Sequence, residues 1–349
     1  MQIFVYEHVT GGGLASQPLP DSLAQEGGAM LRALLEDLLR VPGVNVVTML
    51  DDRLSGGKLL PTSNALTCTF VATQEEANLK FDEEIVGSNH AFVVAPESDS
   101  TLLNWINRAN HLGGAVVASS PATIDLTSDK LKLATHLQQH GVPCVPSAPC
   151  SLANAPPFPP PWVTKPRDGA GSTATRLVAN SADIAAHANT TDEQKIIVTP
   201  YVEGVACSVL FLATPKRLVP LLPGAQEIAA DGSFRYLGGR LPLSDNLAHR
   251  SAELATRALS TISDLKGFIG VDLILGETSD DDRVVEINPR LTTSYVGLRR
   301  LSRVNLAECA LRLAQNESIE ELTWRSGEVH FTPGGTITEQ TTTAPAAPS

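Results

Sequence analysis

The sequence predicts a protein in two parts, an α/β unit with a parallel sheet followed by an α+β unit. Two observations predict this. In the first third, short apolar runs alternate with stretches of helical spacing, the pattern of strands and helices layered on a parallel sheet. Beyond a proline-dense stretch, short strand-like runs crowd together with small helical segments between them. Size agrees: 349 residues are enough for two or three packed units, and 42% apolar with 18% charged residues is ordinary for a globular chain.

The first unit reads as a strand at Gln2–Val5 and a helix over Leu19–Arg40, with Leu23, Met30, Leu31, Leu34, Leu35, Leu38 and Leu39 at helical spacing. Strands follow at Val44–Met49 and Thr67–Ala72, a helix at Glu75–Val86, a strand at His90–Ala95, a helix at Leu102–His111 and a strand at Ala115–Ala118. Ser128 is read as the cap of a helix that starts at Asp129, buries Leu131, Leu133, Ala134 and Leu137, and stops at Gly141. From Pro143 to Pro161 the density of proline predicts a loop without regular structure.

In the second unit, Trp162–Lys165, Thr175–Val178 and Ile196–Tyr201 read as short strands and Ser181–Ala188 as a small helix. Val205–Ala213 and Leu218–Leu222 continue as strands, and Ser244–Leu265 reads as a long helix. Phe268–Leu275 and Arg283–Ile287 read as a strand pair joined by the acidic turn Glu277–Asp282, and Leu306–Ala314 as a last helix. From about Thr332 the Thr, Pro, Ala and Gly content predicts a disordered tail.

A formal charge of −12 with no run of lysine or arginine argues against nucleic acid and anionic membranes as partners. The five cysteines are widely spaced without a C-x-x-C, so neither a disulfide framework nor a zinc cluster is expected. No signal peptide or membrane span is read, and the expected location is the cytoplasm.

Asp272 lies in GFIGVDLIL, and Glu286 and Asn288 lie in VVEINPR. Residues two apart on a strand share a face, so Glu286 and Asn288 project together, and Asp272 can join them if the strands are antiparallel neighbours. Two carboxylates and an amide oxygen suit Mg²⁺, with Arg290 adding a cation on the same face. The alternative is a pair of surface carboxylates on edge strands. Lys165 precedes a glycine loop, Arg167-Asp168-Gly169-Ala170-Gly171-Ser172, whose backbone N–H groups and Ser172 hydroxyl could meet phosphate oxygens; a plain hairpin loop is the alternative. Lys130 sits in a helix's first turn, against the dipole. The strand ending Thr199-Pro200-Tyr201-Val202-Glu203-Gly204 could read adenine with its backbone, or be an ordinary strand end.

Taken in order, Lys130, Lys165 with its glycine loop, TPYVEG, Asp272 and E-I-N-P-R resemble the ATP-grasp superfamily from about Ala118 to Ala314, with a pre-ATP-grasp α/β domain in front. The resemblance implies an ATP-grasp fold preceded by a parallel-sheet domain. The parts would be 1–118, an ATP-grasp region at 119–332 with a small lid at about 162–203 and a core at about 204–315, and a tail at 333–349. ATP and Mg²⁺ (or Mn²⁺) would be bound. Lys130, Lys165, Gly169, Gly171 and Ser172 would hold phosphates, and Thr199, Pro200, Tyr201, Val202 and Glu203 the nucleoside. Asp272, Glu286 and Asn288 would hold the metal, with Arg290 and Lys165 as catalytic cations. Many members carry a ribose-binding Glu where this chain has Ala206.

A narrower resemblance, carried by YEHVTGGG, YLGGRLP and EINPRLTTSYVGLRR, is to the methanofuran-pathway ATP-grasp ligases. It implies amide formation between the γ-carboxyl of glutamate and tyramine or tyrosine through an acyl phosphate. Small-molecule carboxylate and amine substrates are then the expected partners, with a homodimer allowed. Glu7, His8 and Gly12 after the first strand, Arg240, Thr293 and Tyr295 are the candidate substrate residues; a tight structural turn is the alternative for the first three. Competing classes are an ATP-grasp ligase or kinase acting on another small metabolite, a nucleotide-binding regulator, and a Rossmann dehydrogenase. The last lacks the third fingerprint glycine, since Ser16 stands there.

Overall fold

A computed structural model describes residues 1–151, 155–169, 171–172, 174–188 and 195–340. The first unit runs β1 (Gln2–Glu7), α1 (Asp21–Leu38), β2 (Asn45–Asp51), β3 (Leu66–Val71), α2 (Gln74–Gly87), β4 (His90–Val94) and α3 (Thr101–His111). Its four strands are all parallel, in the order β3-β2-β1-β4. The strand expected at Ala115–Ala118 is reduced to a single bridge between Val116 and Ala91.

Two helices follow, α4 (Pro121–Ser128) and α5 (Lys130–Gln139). Ser128 closes α4 and does not cap α5; the cap is Asp129, whose Oδ1 accepts the N–H groups of Leu131 and Lys132. A four-stranded antiparallel sheet comes next, built from β5 (Ala148–Pro149), β6 (Trp162–Pro166), β7 (Arg176–Val178) and, after α6 (Ser181–Ala188), β8 (Ile196–Pro200), in the order β5-β8-β6-β7. The proline stretch therefore donates one short edge strand, where proline's missing N–H costs no ladder bond.

The largest sheet contains β9 (Val205–Thr214), β10 (Arg217–Pro220), β11 (Gly224–Ile228), β12 (Tyr236–Leu241), β13 (Gly267–Leu275), β14 (Arg283–Asn288), β15 (Glu328–Phe331) and β16 (Ile337–Gln340). Its order is β14-β13-β9-β11-β12-β15-β16, with β10 on β9. The helices α7 (Asp245–Leu259), α8 (Ser294–Leu301) and α9 (Leu306–Ala314) accompany it. The helix expected over Ser244–Leu265 stops at Leu259, and Asp264 takes a left-handed conformation with φ of 54°. The tail expected to be disordered from residue 333 instead supplies β16, paired with β15; residues 341–349 lie outside the described residues.

Alternation along β9 and β13 gives this sheet two apolar faces. Cys207, Val209, Phe211, Ile269, Val271 and Leu273 pack against α5 and α7 through Leu133, Leu137, Leu254 and Leu259. Leu210, Leu212 and Phe268 face the other way and share a core with α1, α8 and α9. On that second face the next positions along the strands are Ser208 and Asp272, and apolar packing gives way to polar groups there.

Helix α1 thus belongs to two sheets at once. Asp37 near its end accepts hydrogen bonds from the Tyr295 hydroxyl at 2.6 Å and from Arg299 at 2.6 and 2.9 Å, and Asn305 Nδ2 donates to its carbonyl at 2.7 Å. No helix among the described residues is long and apolar enough to cross a membrane.

Candidate active site

Asp272 and Glu286 stand directly opposite each other on antiparallel β13 and β14, as the sequence anticipated. The register slips between Asp272 and Leu273, so Val285 is the extra residue of a β-bulge beside the pair. Asn288 Nδ2 donates to Asp272 Oδ2 at 3.1 Å, and Gln226 Nε2 from β11 donates to Asp272 Oδ1 at 2.9 Å. Burial, then the neighbouring Glu286 carboxylate, pushes the Asp272 carboxyl well above its usual range. Burial acts on Glu286 in the same sense, but the ammonium groups of Lys130 and Lys165 outweigh it and hold that carboxyl below its usual range.

The two lysines meet because a loop and a helix start are fastened together. Asp129, the cap of α5, also binds the Arg167 guanidinium at 2.7 to 2.9 Å, and the Lys130 N–H donates to the Arg167 carbonyl at 2.9 Å. This places Lys130 beside Lys165, two residues before Arg167 on β6. Lys130 Nζ lies 3.4 Å from Glu286 Oε2 and donates to the Gly169 carbonyl at 2.8 Å. Both side chains are 9% exposed. Burial draws Lys165 down to about 8; Lys130 acts in the same direction, and Glu286 and Asp272 oppose it.

The glycine loop folds towards the core. Ser172 Oγ donates to the Phe234 carbonyl, and the Leu177 N–H donates to the Gly232 carbonyl at 2.9 Å, so the tip of the β11–β12 hairpin meets the small sheet. Tyr201 stacks obliquely near Phe234, ring centroids 6.3 Å apart, and its N–H donates to the Pro161 carbonyl at 2.9 Å. Thr199 is buried, Pro200 and Val202 are half-buried, and Tyr201 and Glu203 are exposed. A side chain at Gly204 would come within 2.4 Å of the Leu275 carbonyl, so only glycine fits where the strand turns.

Arg290 is engaged rather than open. Its Nε and Nη2 donate to the two oxygens of Glu97 at 2.9 and 3.0 Å, and its Nη1 donates to the Leu291 carbonyl at 3.2 Å. Glu97 follows β4 of the first unit and is 3% exposed, so a carboxylate from one unit orients a cation of the other. Burial depresses Arg290, but Glu97 more than compensates and its charged form is favoured.

Several expected substrate residues have other work. Glu7 accepts the Val9 N–H and both the N–H and hydroxyl of Thr10, at 2.6 to 3.1 Å, so its two oxygens cap the turn after β1. His8 Nδ1 accepts from Trp105 Nε1 at 3.0 Å, and burial lowers the ring to about 4, leaving it neutral. Gly12 has φ of 88°, and a side chain there would strike Val71. Arg240 lies on the surface, paired with Glu328 at 3.2 Å. Tyr295 is fully buried in the core against Asp37 and presents nothing to the cleft. Thr293 sits beside the site, its hydroxyl 2.5 Å from Glu26 Oε1 of α1. Sequence reasoning missed Gln226, Glu97, Phe234 and Glu26. None of the four carried a signal; Gln226 stands beside Glu227 on a strand, β11, that the sequence did not mark.

The donor set therefore comprises two facing carboxylates and the amides of Asn288 and Gln226. Among the described residues no three His, Cys, Asp or Glu side chains gather to hold a metal. The pair nonetheless fits a hard divalent cation, since such an ion would offset the burial and the facing Glu286 carboxylate that both raise the Asp272 carboxyl.

Comparison with known proteins agrees with this architecture. The model of a pre-ATP-grasp domain matches residues 44–124, and that of an ATP-grasp domain matches residues 127–294. Fold and matches together make the chain an ATP-grasp protein with a pre-ATP-grasp domain in front. It resembles the tyramine–L-glutamate ligase of Methanocaldococcus fervens, 32% identical over 140 residues, and that of Methanocaldococcus jannaschii, 30% identical over 128 residues. The matched stretches cover 40% and 37% of this chain but only 44% and 39% of those relatives. An ATP-grasp superfamily protein from Archaeoglobus fulgidus shares the fold with a TM-score of 0.69 at 23% identity, over 94% of this chain and 92% of that one.

Proposed function

We propose that the protein is an ATP-dependent carboxylate–amine ligase. The observation that carries this reading is the Asp272–Glu286 pair facing Lys130 and Lys165, an arrangement with both an anionic and a cationic wall. ATP phosphates would lie between the walls, met by Lys130, Lys165, Gly169, Gly171 and Ser172, with adenine beside Thr199 to Val202 and Glu203 at the nucleoside edge. Asp272, Glu286 and Asn288 would hold Mg²⁺ or Mn²⁺, which neutralises phosphate charge when bound.

A substrate carboxylate held near Arg290 would attack the γ-phosphorus, breaking its bond to the β,γ-bridging oxygen and releasing ADP, and the two lysines and Arg290 would stabilise the charge that develops. Folding of the glycine loop over the product keeps water from the acyl phosphate. An amine then takes the acyl group and phosphate leaves.

The names of the two methanococcal relatives support glutamate as carboxylate donor and tyramine, or tyrosine, as acceptor, in a methanofuran-type pathway. The test supplies glutamate, tyramine and Mg-ATP and follows ADP and amide. ADP release that requires both substrates supports the reading. Release with glutamate alone, yielding a stable phosphorylated product, makes the protein a kinase.

A further inference from the structure

Four acidic groups around the Asp272–Glu286 pair and Arg290 are answered. Glu286 meets Lys130, Glu97 meets Arg290, Asp272 takes two amides, and Glu7 caps its own turn. Glu26 is the fifth. It is half-buried on α1, accepts the Thr293 hydroxyl at 2.5 Å, and forms no ion pair with a lysine, arginine or histidine among the described residues.

Its surroundings are specific. Thr293 lies three residues beyond Arg290 on the loop leaving β14, and the charge of Glu26 is felt by Arg290. Tyr236, at the start of β12, is half-buried against the shared core and lies within the field of Asp272, Glu26 and Glu227. The turn between β15 and β16 covers the helix on either side: side chains built at Gly334 and Gly335 would approach Gln25 and Ala29. Glu26 and the Thr293 hydroxyl thus stand together on the α1 side of the Asp272–Glu286 pair, close enough to Arg290 for its charge to be felt there.

We propose that Glu26, hydrogen-bonded by Thr293, receives the primary ammonium of the acceptor substrate and takes the proton this group must lose before it attacks. The proposal rests on the ligase reading above and assigns the acceptor subsite within it. An alkylammonium has no lone pair to give; a carboxylate attracts it and accepts its proton. The nitrogen lone pair then forms the C–N bond to the acyl carbon. The C–O bond to phosphate breaks, and phosphate departs with that electron pair. The second proton, shed from nitrogen as the adduct collapses, leaves with the phosphate.

The test uses the full chain and its Glu26→Gln variant, which keeps an acceptor for Thr293. Tyramine binding is measured by calorimetry, and product formation is compared for tyramine, an ammonium at neutral pH, and hydroxylamine, which is neutral there. With glutamate and Mg-ATP, the preference for tyramine over hydroxylamine should fall by about 100-fold in the variant, the scale of a general-base contribution. Tyramine affinity should fall by about tenfold or more. An unchanged preference overturns the proposal, as does equal tyramine affinity in the two proteins or no binding to the wild type. If the wild type makes neither hydroxamate nor amide, the ligase reading itself falls, and the binding comparison still decides the subsite. Thermal melting of both proteins separates loss of the subsite from loss of fold.

Discussion

Glu97 holds Arg290 through two parallel hydrogen bonds, 2.9 and 3.0 Å long, across the boundary between the pre-ATP-grasp domain and the core sheet. Both groups are nearly inaccessible, so neither can fall back on water. Glu97→Ala strands a buried guanidinium and should cost about 3–5 kcal/mol in urea unfolding. Glu97→Gln keeps a neutral acceptor and should cost less. Arg290→Lys loses the fork and should lower ADP release even where stability is retained.

The Asp272–Glu286 pair sets stability against chemistry. Asp272→Asn removes one of two facing buried carboxylates and should raise stability. Glu286→Gln leaves Lys130 and Lys165 without their counter-charge and should lower it. Both should reduce ADP release by about 100-fold or more. Chemical denaturation and a coupled ADP assay on the same preparations check the opposite signs.

Tyr295→Phe removes the hydroxyl that Asp37 accepts in the core. A hydrogen bond to a charged group of this kind contributes about 1.5–3 kcal/mol. Stability should fall by that amount, while KM for glutamate and amine stays unchanged. A rise in either KM would return Tyr295 to the substrate site.

His8 makes folding sensitive to mild acid. Its ring titrates near 4 when folded and near its ordinary 6.5 when unfolded, so between these values the unfolded chain binds the extra proton. The contribution is full above 6.5 and lost as pH falls towards 4, reaching about 3 kcal/mol. His8→Gln should flatten the difference in unfolding free energy between pH 7 and pH 4.5.

The Asp272–Glu286 strand pair was legible because its information is local. Glu286 and Asn288 are two apart, apolar neighbours fix the strand, and a short acidic turn brings Asp272 back opposite. Gln226, Glu97 and Glu26 were not legible, because sheet order and domain docking, not spacing, bring them to the site. Glu26 in sequence is one more acid on an amphipathic helix. Tyr295 misled for the opposite reason. The hydroxyls of Thr293 and Tyr295 suggested substrate contacts, yet Tyr295, Leu298 and Leu301 at helical spacing lie on the buried side of α8. The helix expected to reach Leu265 overran because apolar Ile262 and Leu265 continue its pattern after the backbone has turned away.

Helix α1 carries Asp37, which anchors α8 from below, and Glu26, which borders the cleft from above. The amino-terminal third is consequently not an interchangeable module. A chimera grafting a foreign front end onto this core would need an acid at both places, about three helical turns apart. Supplying only the anchoring one would yield a well-folded hybrid with an altered appetite for its acceptor.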